Sequence, residues 1–125
     1  MANISLHEAE ITGVYNAKES QALLMYAKPQ SGQNCQLVFQ DVEWWELCSF
    51  GVENILSAID EYDADSLTEA VIDEHDIDEQ YVKMVQDEHQ TLFVLQASAG
   101  LSGWIIAGNM IIKTTEKNHD EPAFR

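Results

Sequence analysis

The chain has 125 residues, with 22 acidic and 6 basic side chains and a formal charge of −16 at pH 7. A hydrophobic content of 46%, including three Trp, four Tyr and four Phe, is enough for one packed domain and excludes global disorder. Two Pro and six Gly exclude a collagen-like or low-complexity chain.

In chain order, residues 1–17 read as strand, through Ile4, Leu6, Ile11, Val14 and Tyr15, with Gly13 marking a turn or bulge. Gln21–Lys28 is an apolar strand, and Pro29–Asn34 a loop. Cys35–Phe50 is the strongest β segment: Cys35, Leu37 and Phe39 alternate with Gln36, Val38 and Gln40. The alternation slips near Asp41, which calls for a bulge or turn before Trp44 and Trp45.

Val52, Ile55, Leu56 and Ile59 fall at helical spacing and predict a helix over 52–62. Ser66 and Glu69 form a capping box, which predicts a second helix over 66–75. Tyr81–Val85, Thr91–Gln96 and Trp104–Lys113 read as strands, with a small-residue loop at Ala97–Gly103. Strands, then helices, then strands is the order of an α+β fold: a mainly antiparallel sheet with two short helices on one side. The expected organisation is one domain over 1–113 and a polar tail over 114–125.

The start of the chain has no basic and apolar segments of a secretory signal, and its longest apolar stretch, Trp104–Ile112, falls short of the roughly 20 residues that span a bilayer. A cytoplasmic protein with reduced Cys35 and Cys48 is expected, with Cys48 in the core beside Leu47 and Phe50.

The charge is unevenly placed. Residues 1–40 carry three acids and two bases, 41–88 carry sixteen acids and only Lys83, and 89–125 carry three of each. Two like charges 7 Å apart in water repel by about 0.6 kcal/mol. An uncompensated block therefore opposes folding, and ordinary surfaces mix signs. With a helix over 52–62, Asp60, Glu61, Asp63 and Asp65 would also stand at the helix end where the dipole disfavours anions. A solvated helix face accounts for such a block at a local cost. A basic partner, a cation or a need for solubility accounts for its retention.

Calcium is a poor fit. Glu61, Asp63 and Asp65 take the first EF-hand positions, but Ser66 stands where Gly is needed and Ile72 where a carboxylate is needed. His75, Asp76, Asp78 and His89 lack metal-ligand spacing, and His75 reads as a polar helix end. No metal or cofactor is expected. Ala99–Gly103 lacks the G-x-S-x-G pattern, phosphate-binding loops are absent, and Cys48, a nucleophile only with a distant His, reads as core, so the chain is not expected to be an enzyme. Six bases in total disfavour direct nucleic-acid binding. An acidic block instead attracts proteins built to bind nucleic acid. Trp44, Trp45, Tyr62 and Tyr81 punctuate it as core residues or interface anchors, Tyr62 being the best placed as an anchor.

In size, acidity, layout and lack of catalytic motifs the chain resembles the bacterial immunity proteins of polymorphic toxins, including contact-dependent growth inhibition. The segments that carry the resemblance are Leu37–Leu47 (LVFQDVEWWEL) and Leu95–Trp104 (LQASAGLSGW). The resemblance implies a cytoplasmic protein that neutralises one cognate toxin domain, often a nuclease, by forming a stoichiometric complex. The partner-binding residues expected from the charge block are Asp60, Glu61, Tyr62, Asp63, Asp65, Asp73, Glu74, Asp76, Asp78 and Glu79. The alternatives are a nucleic-acid mimic that inhibits another DNA- or RNA-binding protein, and a structural or oligomerisation module.

Overall fold

The computed structural model describes residues 6–30 and 32–115. The elements run β1 (Ala9–Ala17), β2 (Ala22–Lys28), β3 (Cys35–Gln40), β4 (Trp44–Cys48), β5 (Ile55–Tyr62), α1 (Glu69–His75), α2 (Glu79–Glu88), β6 (Thr91–Ala99), β7 (Ser102–Ala107) and β8 (Asn109–Thr114). A single 3-10 turn, Lys18–Ser20, joins β1 to β2. The fold is α+β: eight antiparallel strands in the order β4-β7-β6-β5-β1-β2-β3-β8, with two helices.

The sheet bends through the slip seen at Asp41. Asp41 takes a left-handed conformation (φ 55°), and β4 continues β3 beyond it. Opposite, β8 continues β7 through Gly108. Gln40 faces Asn109 and Trp44 faces Ile106, so residues 41–43 lie against only 107–108, a one-residue bulge. The backbone bonds Gly108 N to Gln40 O (2.8 Å) and Glu43 N to Ile106 O (2.9 Å) carry the ladder across it. A Cβ on Gly108 would sit 3.1 Å from that of Asp41, so the close crossing favours glycine.

This bend divides the sheet into two four-stranded halves, β8-β3-β2-β1 and β4-β7-β6-β5, whose inner faces pack on one shared core. Alternation sends Ile11, Leu23, Met25, Leu37 and Phe39 of one half inward against Leu56, Phe93, Leu95 and Ile105 of the other. Phe39 and Phe93 meet edge to face with ring centroids 5.3 Å apart. The alternate residues Leu92, Val94 and Ile106 face outward and are covered by Leu67, Ile77, Tyr81, Val82 and Val85. Both helices therefore lie on one outer face.

The helix expected over 52–62 is a strand. β5 pairs with β6 through register shifts at Ile55/Leu56 and Leu56/Ala58. The extra residue returns Leu56 and Ile59, three apart, to the same inward face, which imitates helical spacing. Val52, first in the predicted stripe, is fully exposed. The second helix is α2, where a strand was expected over 81–85. Its buried Tyr81, Val82 and Val85 follow helical rather than alternate spacing.

The expected helix over 66–75 is present as α1, but its N-cap is Thr68, whose Oγ1 accepts from Val71 N. Gly13 does mark a register shift in β1, as expected. Cys48 is exposed rather than core, because alternation on β4 turns Trp45 and Leu47 inward. Cys35 is buried, and neither cysteine is bonded to the other. Thr114 belongs to β8 rather than to a tail, and Thr115 N donates to Asn34 O at 3.0 Å. The rest of the expected tail, and the Ile4 end of the first expected strand, lie outside the described residues.

The loop expected over 97–103 contracts to Gly100-Leu101, because a buried asparagine holds it. Asn54 is 3% exposed. Its Oδ1 accepts from Gly51 N (2.9 Å) and Leu101 N (3.0 Å), while its Nδ2 donates to Gly51 O (2.9 Å). Gly100, at φ 73°, has no room for a Cβ against Glu53 O and Asn54 Oδ1. Asn54→Ala strips partners from buried backbone groups. It should lower unfolding stability by about 3 kcal/mol in urea titrations. A loss below about 1 kcal/mol would show that the loop stands without it.

Candidate functional site

The helical layer turns its apolar side to the sheet and its carboxylates to solvent. Glu69, Asp73, Glu74, Asp76, Asp78, Glu79, Asp87 and Glu88 are all exposed. Lys83 is the single Lys or Arg in residues 41–88. The helix dipoles favour Glu69 and Glu79 in their first turns. They disfavour Asp87 and Glu88 at the end of α2, whose last turn has no base. At the end of α1, His75 offers the dipole a basic group. Its ring lies 6.2 Å from that of Tyr62, and its Nε2 is buried without a hydrogen-bond partner among the described residues.

The expected partner-binding residues do not form one group. Asp73, Glu74, Asp76, Asp78 and Glu79 come together on the helical layer. Asp76 caps α1 in a left-handed conformation, and Asp78 occupies the N-cap position of α2. Asp65 is exposed in the approach to α1.

Asp60, Glu61 and Asp63 are placed otherwise. On a strand, Asp60 and Glu61 point to opposite faces. Asp60 opposes Val94 of the outer cluster and Glu61 opposes Phe93 of the inner one. Asp60 Oδ2 accepts from Gln96 Nε2 at 2.8 Å. These residues follow no helix, so the dipole penalty expected for them does not arise.

Asp63 is a turn residue. Its Oδ1 accepts from Asp65 N (3.0 Å), Ser66 N (3.0 Å) and Ser66 Oγ (3.1 Å), while Ser66 Oγ accepts from Asp63 N (2.9 Å). That turn occupies the serine expected to cap a helix. The same bonds from Ser66 and Asp65 hold the Asp63 carboxyl below the usual 3.8. Its contribution to stability is thus present above 3.8 and lost as pH falls through the lowered value. Tyr62 is half-buried against the outer cluster, with its hydroxyl pKa raised by burial and by the charges of Asp60 and Glu74.

Tyr15 and Phe50 are exposed elsewhere, but of the four aromatics that punctuate the charge block the exposed one is Trp44. It stands 46% exposed on β4, stacked on Tyr81 of α2 with centroids 6.0 Å apart and planes at 21°. Tyr81 leans in turn on Trp104 at 5.0 Å. Burial, then the neighbouring Glu46 carboxylate, then Asp78 push the Tyr81 hydroxyl up. A concavity of about 390 Å³ opens beside this stack, lined by Glu43, Trp44 and Trp45. Trp45 itself is half-buried against the inner core. The sequence singled out all four aromatics, but their ranking follows from the face each occupies.

Glu43 was not among the expected site residues. It lies in the bend, and a hydrogen bond with Glu88, partial burial and the charge of Glu88 raise its pKa. No spacing rule links two residues 45 apart, so only the fold shows this pair.

Cys48 Sγ lies 3.4 Å from Ser102 Oγ, and hydrogen bonds with Ser102 and Ser49 lower the thiol pKa. Among the described residues, no group of three or more His, Cys, Asp or Glu could hold a metal ion. Among the same residues, no helix is long and apolar enough to cross a membrane. On the far outer face, a groove of about 470 Å³ over β2 and β3 contains none of the expected site residues. Comparison with family models, curated proteins and solved structures finds no match.

A raised carboxyl pKa favours the protonated folded state. The stabilising effect is complete below the usual 4.5 and is lost as pH rises through the raised value. Glu43→Gln should therefore stabilise the protein at pH 7 by about 0.5 kcal/mol, the scale of a solvent-screened charge pair. Thermal unfolding at pH 4 and pH 7 checks this: the gain should shrink at pH 4, and a loss at pH 7 would contradict it.

Proposed function

We propose that the protein is a stoichiometric binding protein whose acidic helical layer engages a basic protein partner. In its most specific form the partner is a toxin nuclease domain, which the complex neutralises inside the cell that makes both. The carrying observation is the charge of the helical layer: eight exposed carboxylates and one base, on helices already anchored by their apolar side. Such a surface speeds encounter with a cationic protein by long-range steering. A nuclease supplies the complementary surface because it must attract phosphate. In this reading the chain supplies a surface and no reacting group.

In this reading the contact falls on the helices rather than on Asp63, which holds a turn. Asp73→Lys, Glu74→Lys, Asp76→Lys and Glu79→Lys together should slow association by about tenfold or more. The test is paired capture from the source cell's lysate at low salt, with wild type and variant eluted by a salt gradient and read by mass spectrometry. One basic partner, stoichiometric on wild type and lost from the variant, is the expected result. Several unrelated nucleic-acid-binding proteins would instead indicate a mimic. Equal capture by both chains would remove the helical layer from the interface.

A further inference from the structure

Trp44 is a large, half-exposed aromatic held in place from behind. Tyr81 stacks on it, and Trp104 supports Tyr81, so the indole is fixed before any partner arrives. Beside it the 390 Å³ concavity is walled by Glu43 and Trp45. Glu46, two residues further along β4 on the same outward face, hydrogen-bonds Tyr81 and so helps to hold the ring on which Trp44 stacks. Glu88 lies close enough to hydrogen-bond with Glu43.

The chemistry of this notch is specific. An aromatic face attracts a cation through its quadrupole, and the neighbouring carboxylates add charge and hydrogen-bond acceptors. A guanidinium suits both features, since it is planar enough to lie on an indole and presents a fork of N–H donors. An ammonium has the charge without the plane. A fixed Trp also meets the usual profile of an interface hot spot, and little side-chain entropy remains to be lost.

We infer that this notch receives an arginine side chain of the partner, with the guanidinium laid on the exposed Trp44 indole and paired with the Glu43 carboxylate, beside which Glu88 stands. The inference rests on the proposed binding of a basic protein and names the contact that makes arginine preferred to lysine. The helical carboxylates attract either cation; the notch distinguishes them.

The test uses two blocked peptides of equal charge, hexa-arginine and hexa-lysine, titrated at low salt into the full-length protein with its Trp indoles observed by NMR. The arginine peptide should bind about threefold more tightly, and the Trp44 indole N–H resonance should shift with it. Trp44→Leu should abolish the preference while leaving lysine-peptide binding in place. Trp44→Phe, which keeps an aromatic face, should restore part of it.

Equal affinities for the two peptides, or a preference that survives Trp44→Leu, would overturn the inference and leave the acidic-layer proposal standing. Binding of neither peptide at low salt would overturn both. Near-native amide spectra for both variants separate a lost contact from a lost fold.

Discussion

Everything in this molecule depends on the one-residue bulge that sets residues 41–43 against 107–108. Without it, β3 would run straight into β4 and the sheet would have a single open curve. With it, two long ribbons change halves, and the sheet acquires a closed inner face and an open outer one. The inner face is filled by Phe39, Phe93 and their neighbours. The outer face of β6 and β7 becomes the seat for both helices. Gly108 permits the crossing, and Glu43 emerges from it beside Trp44.

The helical layer follows from that seat. Leu67, Ile77, Tyr81, Val82 and Val85 supply the apolar contact, so the solvent-facing positions of α1 and α2 can vary in charge with little effect on the core. They hold carboxylates at both favourable and unfavourable helix ends. Like charges gathered on one layer repel one another to a degree that salt screens, and Lys83 is the single Lys or Arg within residues 41–88. A partner bringing positive charge reverses the sign of that interaction. Under the same proposal Trp44, stacked at its back on Tyr81 and half in solvent, is where the partner's planar cation would lie.

The sequence was most legible where a strand is regular. The alternation through Cys35, Leu37 and Phe39, and its slip at Asp41, correspond to β3 and the bend. Legibility failed at β5, because its bulges place Leu56 and Ile59 three residues apart on one face and mimic a helix. It failed again at α2, where Tyr81-Val82-Lys83-Met84-Val85 reads as alternation but buries Tyr81, Val82 and Val85. For the candidate site, charge placement singled out residues that the fold groups together: Asp73, Glu74, Asp76, Asp78 and Glu79 share the helical layer. Strand geometry then separated Glu61 from Asp60, and hydrogen bonding engaged Asp63 in a turn. The Glu43–Glu88 pair and the Trp44–Tyr81 stack join distant parts of the chain, and no local pattern could have revealed them.

The central claim is that the helical layer keeps its carboxylates against its own stability. The most direct measurement compares wild type with a variant neutralised at the disfavoured helix ends: Asp73→Asn, Glu74→Gln, Asp87→Asn and Glu88→Gln. Thermal unfolding would be followed from about 10 mM to about 1 M salt, over which the screening length falls from roughly 30 Å to roughly 3 Å. The account predicts that the neutral variant is the more stable at low salt and that the gap closes as salt rises. A variant equally or less stable at low salt would show that these carboxylates serve the fold, and the case for a reserved binding surface would fall.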